Sequence, residues 1–180
     1  MFFQITSFLL DVAAGLLGGA CLLRLYMQLQ RVPFGNPVGR FIFALTDWIV
    51  LPLRKVLPGF KRWDFASLVA AYLFELAQFG ILALMVGAGY AMVPALALFG
   101  LVRLAISGMI GLVIVYAVLS WVQADSPIVD VIDRITSPML RPFRKIIPLV
   151  GGFDLSPLAL LVVLQVAAII VANLQGAVLR

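Results

Sequence analysis

Four long apolar runs constrain the fold of this chain more than any other feature. They lie at about 12–30, 65–86, 101–122 and 157–174, and each is near the ~20 residues that a helix needs to cross a bilayer. A segment in lipid must satisfy its own backbone hydrogen bonds, so each run must be helical. Only 12% of the residues are charged, against about 25% in soluble domains. We therefore predict an all-α membrane protein with four transmembrane helices.

The basic residues are concentrated in two connections between these runs. Ten of the thirteen Lys and Arg residues lie in 31–64 and 123–156, and none lies in 87–100. Because basic loops stay on the cytoplasmic side, we predict that 31–64 and 123–156 are cytoplasmic and that both termini are outside. The first run lacks a preceding basic segment and Asp11 interrupts the apolar stretch at its start, so we expect a retained helix and not a cleaved signal peptide.

A tandem repeat with a period of 90 residues organises the chain. PLRKVLP at 52–58 recurs as PFRKIIP at 142–148. Within 36–68, nine residues are identical to the residue 90 positions later: Pro37, Ile42, Thr46, Pro52, Arg54, Lys55, Pro58, Asp64 and Leu68. We predict two repeats, 1–90 and 91–180, each built as helix, basic loop, helix. Two spans per repeat keep the halves in the same orientation, related by a pseudo-twofold axis along the membrane normal.

Each basic loop is predicted to hold two short amphipathic helices in the headgroup layer. In the second loop, polar residues follow helical spacing on one side: Asp130, Asp133, Arg134, Ser137, Arg141 and Arg144. Ser137 before Pro138 is typical of an N-cap followed by proline at the first helical position, and the aligned Asp47 could act in the same way. We expect Asp64 and Asp154 to cap the next spanning helices, and we expect breaks at four prolines, Pro52, Pro58, Pro142 and Pro148.

Two repeated basic pairs are the first candidate site. Arg54–Lys55 and Arg144–Lys145, with Arg40 and Arg141 nearby, are predicted to face anionic lipid phosphates, which attract each basic residue with about 1 kcal/mol. The alternative is that these residues only set the topology. Their occurrence in equivalent places favours a shaped surface for a lipid or a partner protein.

An intramembrane carboxyl group is the second candidate site. Glu75 lies about ten residues into its predicted helix, near the bilayer midplane, where ionisable residues are costly and usually functional. The aligned residue is Gln165, and Arg24 lies in the first helix. Three interpretations stay open: a structural Glu75–Arg24 pair, an Arg24 side chain that snorkels to the headgroups, or ion or proton handling at Glu75 and Gln165.

The composition also argues against an enzyme. Histidine is absent and the single cysteine, Cys21, lies in an apolar run, so the usual general base and a thiolate metal cluster are both missing. We predict no catalytic residue, no metal site and no cofactor of its own, and we expect Cys21 to pack as a small hydrophobic residue. The basic residues flank apolar spans, so anionic lipid is the expected partner and direct nucleic-acid binding is not.

Two segments of the sequence resemble a known family. NPVGRFIFALTDWIVLPLRKVLP followed by DFASL, and SPIVDVIDRITSPMLRPFRKIIPLVGGFDLSPL, resemble the two repeats of the YggT/YlmG family of bacterial and plastid membrane proteins. The resemblance covers about residues 20–170. Two positions depart from the family pattern: Trp48 stands where a proline is usual, and Ser137 stands where an acidic residue is usual.

The resemblance implies a role in assembly, because plastid relatives are associated with cytochrome complex assembly, including haem attachment. Bacterial relatives are linked to cell division, nucleoid placement and tolerance of osmotic or ionic stress. It supplies no catalytic residues. We therefore expect a non-enzymatic, multi-pass protein of the bacterial inner membrane that helps assemble membrane protein complexes, with a membrane-protein partner and room for a homo-oligomer. The alternative function is a small ion-handling transporter or transport accessory.

Overall fold

The computed structural model describes residues 1–57, 63–122, 126–147 and 154–178. Six α-helices occur in the described chain: α1 (Phe2–Leu29), α2 (Pro37–Val56), α3 (Phe65–Val86), α4 (Val93–Val122), α5 (Pro127–Arg144) and α6 (Ser156–Val178). A short 3-10 helix at Tyr90–Met92 precedes α4. A shift of about 90 residues carries α1, α2 and α3 onto α4, α5 and α6, so both halves have the same order of elements.

Four of these helices are long and apolar enough to cross a membrane, namely α1, α3, α4 and α6. The 22 residues of α3 extend about 33 Å at 1.5 Å per residue, which matches the hydrocarbon core of about 30 Å. The prediction of an all-α protein with four such helices is confirmed. The helices α1 and α4 begin earlier than predicted, at Phe2 and Val93.

Proline explains why α4 begins at Val93. Pro94 lies in the first turn of α4, where the missing backbone N–H has no helical partner to lose. The turn before it is made by Gly87, which caps α3 in the left-handed conformation with φ +65°. Glycine adopts that conformation without the steric cost of a side chain.

The two basic loops each contain one long helix, so the prediction of two short helices per loop is wrong. Pro52 lies inside α2, and Pro138 and Pro142 lie inside α5, and none of them ends its helix. Ser137 and Asp47 are therefore interior residues and not N-caps. The actual N-cap of α2 is Asn36, whose side chain accepts a hydrogen bond from Gly39 N at 2.8 Å. Pro58 and Pro148 lie outside the described residues.

Both amphipathic helices bury their inner face against the spanning helices. In α2 the buried side includes Ile42, Thr46 and Val50, and in α5 the equivalent residues Ile132, Thr136 and Leu140 are also buried. The contact partners are α1 and α3 for α2, and α4 and α6 for α5. One apolar face of each helix thus packs on protein.

The core has one cluster in each half and a third between them. Cys21 packs with Val50, Ala66, Ala70 and Ala71 in the first half, where small residues let helices approach closely. The expected packing of Cys21 as a small hydrophobic residue is what the structure shows. The core cluster of the second half comprises Ile106, Val113, Leu140, Leu160 and Leu164.

The two halves meet through several contacts. The third cluster joins Met27, Val32 and Ile42 of the first half to Val131 and Ile135 of α5. The helices α3 and α4 pack side by side, and α1 also contacts α4. The Tyr26 hydroxyl donates a hydrogen bond to the Ile135 carbonyl oxygen at 3.0 Å. The described helices therefore form one bundle, with α2 and α5 at the same end.

Candidate functional site

A buried ion cluster joins α1, α2 and α3 at the end of the bundle where α2 lies. We call it the loop-end cluster and define it by Arg24, Thr46, Asp47, Arg54 and Asp64. The Arg24 side chain is only 2% exposed, and its Nη1 lies 2.7 Å from both Thr46 Oγ1 and Asp47 Oδ1. The guanidinium also lies over a ring, 4.6 Å from the Phe43 centroid. Arg24 therefore neither pairs with Glu75 nor snorkels to the headgroups, and both of those interpretations are wrong.

Asp64 is the acidic centre of the loop-end cluster. Its side chain is 1% exposed and forms an ion pair with Arg54, while Arg24 Nε lies 3.9 Å from Asp64 Oδ2. As the N-cap of α3, Asp64 also accepts hydrogen bonds from Ser67 N at 3.4 Å and Ser67 Oγ at 2.7 Å. The sequence predicted the capping role but not the ion pair.

The charges in the loop-end cluster balance. Two guanidinium groups face two carboxylates, and Gln28 accepts a further hydrogen bond from Arg54 at 3.4 Å. Burial alone would raise the pKa of Asp64, but hydrogen bonds from Arg54 and Ser67 outweigh that effect and hold the pKa below its ordinary value. The carboxylate therefore stays ionised and keeps α2 fastened to α3.

The second half carries the equivalent ion pair in a more open setting. Arg144 Nε lies 2.9 Å from Asp154 Oδ2, with the side chains 34% and 21% exposed. Asp154 also accepts from Ser156 N at 2.9 Å, and Arg144 donates to the Tyr116 hydroxyl. Burial opposes ionisation of Asp154, yet hydrogen bonds from Ser156 and Arg144 lower its pKa. The repeated arginine and aspartate therefore form one clamp in each half.

This clamp changes the interpretation of the repeated basic pairs. The guanidinium groups of Arg54 and Arg144 each form an ion pair with an aspartate of the same chain. The lysines that follow them, Lys55 and Lys145, are exposed, as are Arg40 and Arg141. The six basic residues predicted as one binding surface thus divide into two structural arginines and four exposed side chains, Arg40, Lys55, Arg141 and Lys145, which we call the basic face.

The predicted site at Glu75 and Gln165 does not form. Glu75 is 4% exposed and lies between α3 and α4, whereas Gln165 is exposed on α6. Glu75 is instead accompanied by Asp11, Gln78 and Arg103, none of which was predicted as a site residue. Gln78 donates a hydrogen bond to Asp11, and Arg103 and Asp11 are the charged groups that act on the Glu75 carboxyl.

The packing of Glu75 depends on a glycine in α4. A Cβ atom at Gly100 would overlap with Glu75 Oε2 and lie 2.8 Å from the Phe79 ring, so a larger residue there would displace the Glu75 side chain. Glu75 Oε2 is buried and has no hydrogen-bond partner among the described residues. We call Asp11, Glu75, Gln78, Gly100 and Arg103 the mid-helix cluster. Helical spacing could have placed Glu75 beside Gln78, but the contact with Gly100 depends on how α3 crosses α4.

No metal-binding group of three His, Cys, Asp or Glu side chains occurs within 1–57, 63–122, 126–147 and 154–178. An apolar groove of about 490 Å³ lies between α1 and α4 and is also lined by α2 and by Met139. Its lining is almost entirely hydrocarbon, so it offers no group for acid–base chemistry. The polar chemistry of the described chain is therefore concentrated in the two clamps and the mid-helix cluster.

Comparison with known proteins identifies relatives for almost the whole chain. The family model described as CCB3/YggT matches residues 3–85 and again 95–175. The chain is 36% identical over 177 residues to a protein of Escherichia coli strain K12 named "Uncharacterized protein YggT", covering 95% of this chain and 91% of that protein. It is 34% identical over 175 residues to a Vibrio alginolyticus protein named for the proC 3' region, covering 94% and 95%.

A third relative, an uncharacterized protein of Pseudomonas aeruginosa, is 34% identical over 158 residues, which cover 84% of this chain and 80% of that protein. No solved structure matches the chain. The two matched segments coincide with the two structural halves, so each half of the chain matches the family model. The resemblance predicted from the sequence is confirmed, and the chain belongs to the CCB3/YggT family.

Proposed function

We propose that this chain is a non-enzymatic membrane protein that helps other membrane proteins assemble. Its basic face would bind anionic lipid headgroups and one membrane-protein partner at the same end of the bundle. The observation that supports this most is the duplicated clamp, which holds α2 and α5 in equivalent places on the spanning helices. Two helices fixed in this way present basic side chains at a set spacing, as docking requires.

The basic face has the chemistry that docking needs. Arg40, Lys55, Arg141 and Lys145 are exposed, and basic residues near an anionic surface each contribute about 1 kcal/mol. Large apolar side chains are exposed close to these residues, including Phe41 and Trp48 at 60% on α2 and Ile146 at 80% just after α5. Positive charge beside exposed aromatic and aliphatic groups suits a surface at the boundary of lipid and protein.

Photo-crosslinking in native membranes tests this proposal. Probes next to Lys55 and Lys145, read by mass spectrometry, should capture one discrete protein, and the adduct should disappear when both lysines become glutamine. A probe at Val162, which is 64% exposed on α6, is the matched control and should capture lipid. Lipid adducts alone at Lys55 and Lys145 would contradict the assembly role and leave the basic face as a headgroup anchor.

Transport is the second candidate function, with one observation in its favour. Glu75 is a buried carboxyl group in a spanning helix, and such groups mark ion pathways in many membrane proteins. The predicted partner Gln165 is on the outer face of α6, which removes half of the proposed midplane site. A flux that depends on Glu75 in liposomes would support transport. Normal flux in Glu75→Gln would exclude Glu75 from the pathway, and no flux above that of empty liposomes would reject transport.

A further inference from the structure

We propose that the mid-helix cluster is a proton-binding site and that the proton is carried by Glu75 Oε2. This inference depends on neither docking nor transport, because a site can bind a proton without moving it across the membrane. It begins from the one buried carboxylate oxygen in the described helices that has no hydrogen-bond partner. A charged carboxylate oxygen that is buried between spanning helices without a hydrogen-bond partner raises the free energy of the folded state. Protonation removes most of that cost.

The formal charges of the cluster support the proposal. The groups that act on Glu75 are Asp11 from α1 and Arg103 from α4. Gln78, on the same helix as Glu75, is neutral and bonds to Asp11. Two carboxylates and one guanidinium leave one excess negative charge. The loop-end cluster, by contrast, has two guanidiniums for its two carboxylates, so the mid-helix cluster lacks a single positive charge.

The charged residues of the remaining neighbour, α2, lie away from Glu75. Asp47 bonds to Arg24 and Arg54 bonds to Asp64, both at the loop end of the bundle, and Arg40 and Lys55 are exposed. Arg103 is exposed and can compensate only one of the two carboxylates near it. The described residues therefore supply one positive charge for two carboxylates, and the proposed proton supplies the second.

A proton fits this position better than a metal ion. A metal cation prefers about six oxygen ligands, and no set of three His, Cys, Asp or Glu side chains able to hold a metal occurs among the described residues. The Glu75 carboxyl lies so close to Gly100 that a single added methyl group would overlap with Oε2. A proton needs one oxygen and no added volume. Protonation converts the carboxylate to a neutral acid, and the proton comes from bulk solvent.

Infrared difference spectroscopy across a pH titration tests the proposal, using the full chain in lipid nanodiscs. The expected result is a reversible carbonyl band of a protonated carboxyl group that is absent in Glu75→Gln and retained in Asp130→Asn, which removes an exposed carboxyl group on α5. Spectra of the unmodified chain and of Glu75→Gln that coincide at every pH would overturn it. If Glu75→Gln does not fold, Glu75→Asp, which keeps a carboxyl group, should shift the band, and an unshifted band would overturn the proposal.

Two further measurements distinguish a proton site from its alternatives. Gly100→Ala should shift the frequency of the Glu75 band, whereas Gly108→Ala should leave it unchanged because a Cβ at Gly108 has nothing within 4 Å. Adding Na⁺ or K⁺ at constant pH should not reduce the band. A band that declines as the salt concentration rises would show that the site takes a metal cation, and the proton proposal would then be wrong. A flux assay in liposomes is separate and decides only whether the site serves transport.

Discussion

The burial of its aspartate determines how much each clamp contributes to the stability of the fold. Asp64 is 1% exposed and faces two arginines, whereas Asp154 is 21% exposed and faces one. The same residue in the two repeats thus occupies two different dielectric surroundings. Removing one partner of a buried ion pair costs about 3–5 kcal/mol, because the other charge is left uncompensated. Exposed pairs contribute about 0–1 kcal/mol.

We therefore predict that Asp64→Asn destabilises the chain much more than Asp154→Asn. The expected loss is about 3 kcal/mol or more for Asp64→Asn and about 1 kcal/mol or less for Asp154→Asn. Thermal unfolding in detergent, followed by circular dichroism, measures both variants against the exposed control Asp130→Asn. Equal losses for the two clamp variants would show that burial of the first clamp is irrelevant.

Acid titration of the same variants checks the cause. The folded-state pKa of Asp64 is lowered by Arg54 and Ser67 against the opposing effect of burial. Its contribution is therefore complete above the unfolded value of about 3.9 and is lost as the pH falls through the lower folded value. The unmodified chain should lose stability below about pH 4, and the difference between it and Asp64→Asn should shrink over that range.

Tertiary contacts, more than local sequence signals, determine the shape of the amphipathic elements. Proline normally removes a helical hydrogen bond and disfavours the helix interior, so the sequence predicted breaks at Pro52 and Pro142. Both helices continue because their buried faces pack along the spanning helices over several turns. The local sequence around the prolines does not reveal this packing, so the continuation of the helices could not be predicted from it. The repeat, the four spans and the capping by Asp64 were predictable because each depends on local spacing or composition.

The contacts that complete the two clusters were not predictable from one sequence. Arg24 bonds to Thr46 and Asp47 only because α2 folds back on α1, and Glu75 meets Gly100 only because α3 packs beside α4. One signal could have revealed the clamps. Arginine and aspartate recur ten residues apart in both repeats, at 54 and 64 and at 144 and 154, which is typical of a pair that must be retained together.

The entry into α2 depends on a glycine. Gly39 is buried, and a Cβ at that position would lie 2.7 Å from Phe34 Cα and overlap with the Phe34 carbonyl oxygen. Backbone cannot move aside as a flexible side chain can, so Gly39→Ala should cost about 1–3 kcal/mol. The measurement is thermal unfolding, with Gly15→Ala as control because a Cβ there has nothing within 4 Å. Gly15→Ala should be neutral or stabilising, since alanine favours a helix by up to about 1 kcal/mol over glycine.

At the scale of the whole molecule, the repeats are equivalent in order but differ in their polar contacts. The two tyrosines Tyr26 and Tyr116 are also 90 residues apart, yet they act differently. Tyr26 joins α1 to α5 across the two halves at Ile135. Tyr116 accepts from Arg144 within the second half. Of these two equivalent tyrosines, Tyr26 thus connects the repeats and Tyr116 supports a clamp.

This difference predicts where each tyrosine acts in solution. Tyr26→Phe should raise hydrogen–deuterium exchange in α5 around Ile135, because it removes the hydrogen bond from α1 to α5 at a cost of about 1 kcal/mol. Tyr116→Phe should instead raise exchange near Arg144, at the end of α5. Each variant is the control for the other, since both remove one hydroxyl from an equivalent position. If both raised exchange in the same segment, Tyr26 would not serve as a link between the repeats, and the halves would be joined by apolar packing and by the hydrogen bond from the Tyr72 hydroxyl to the Pro94 carbonyl oxygen.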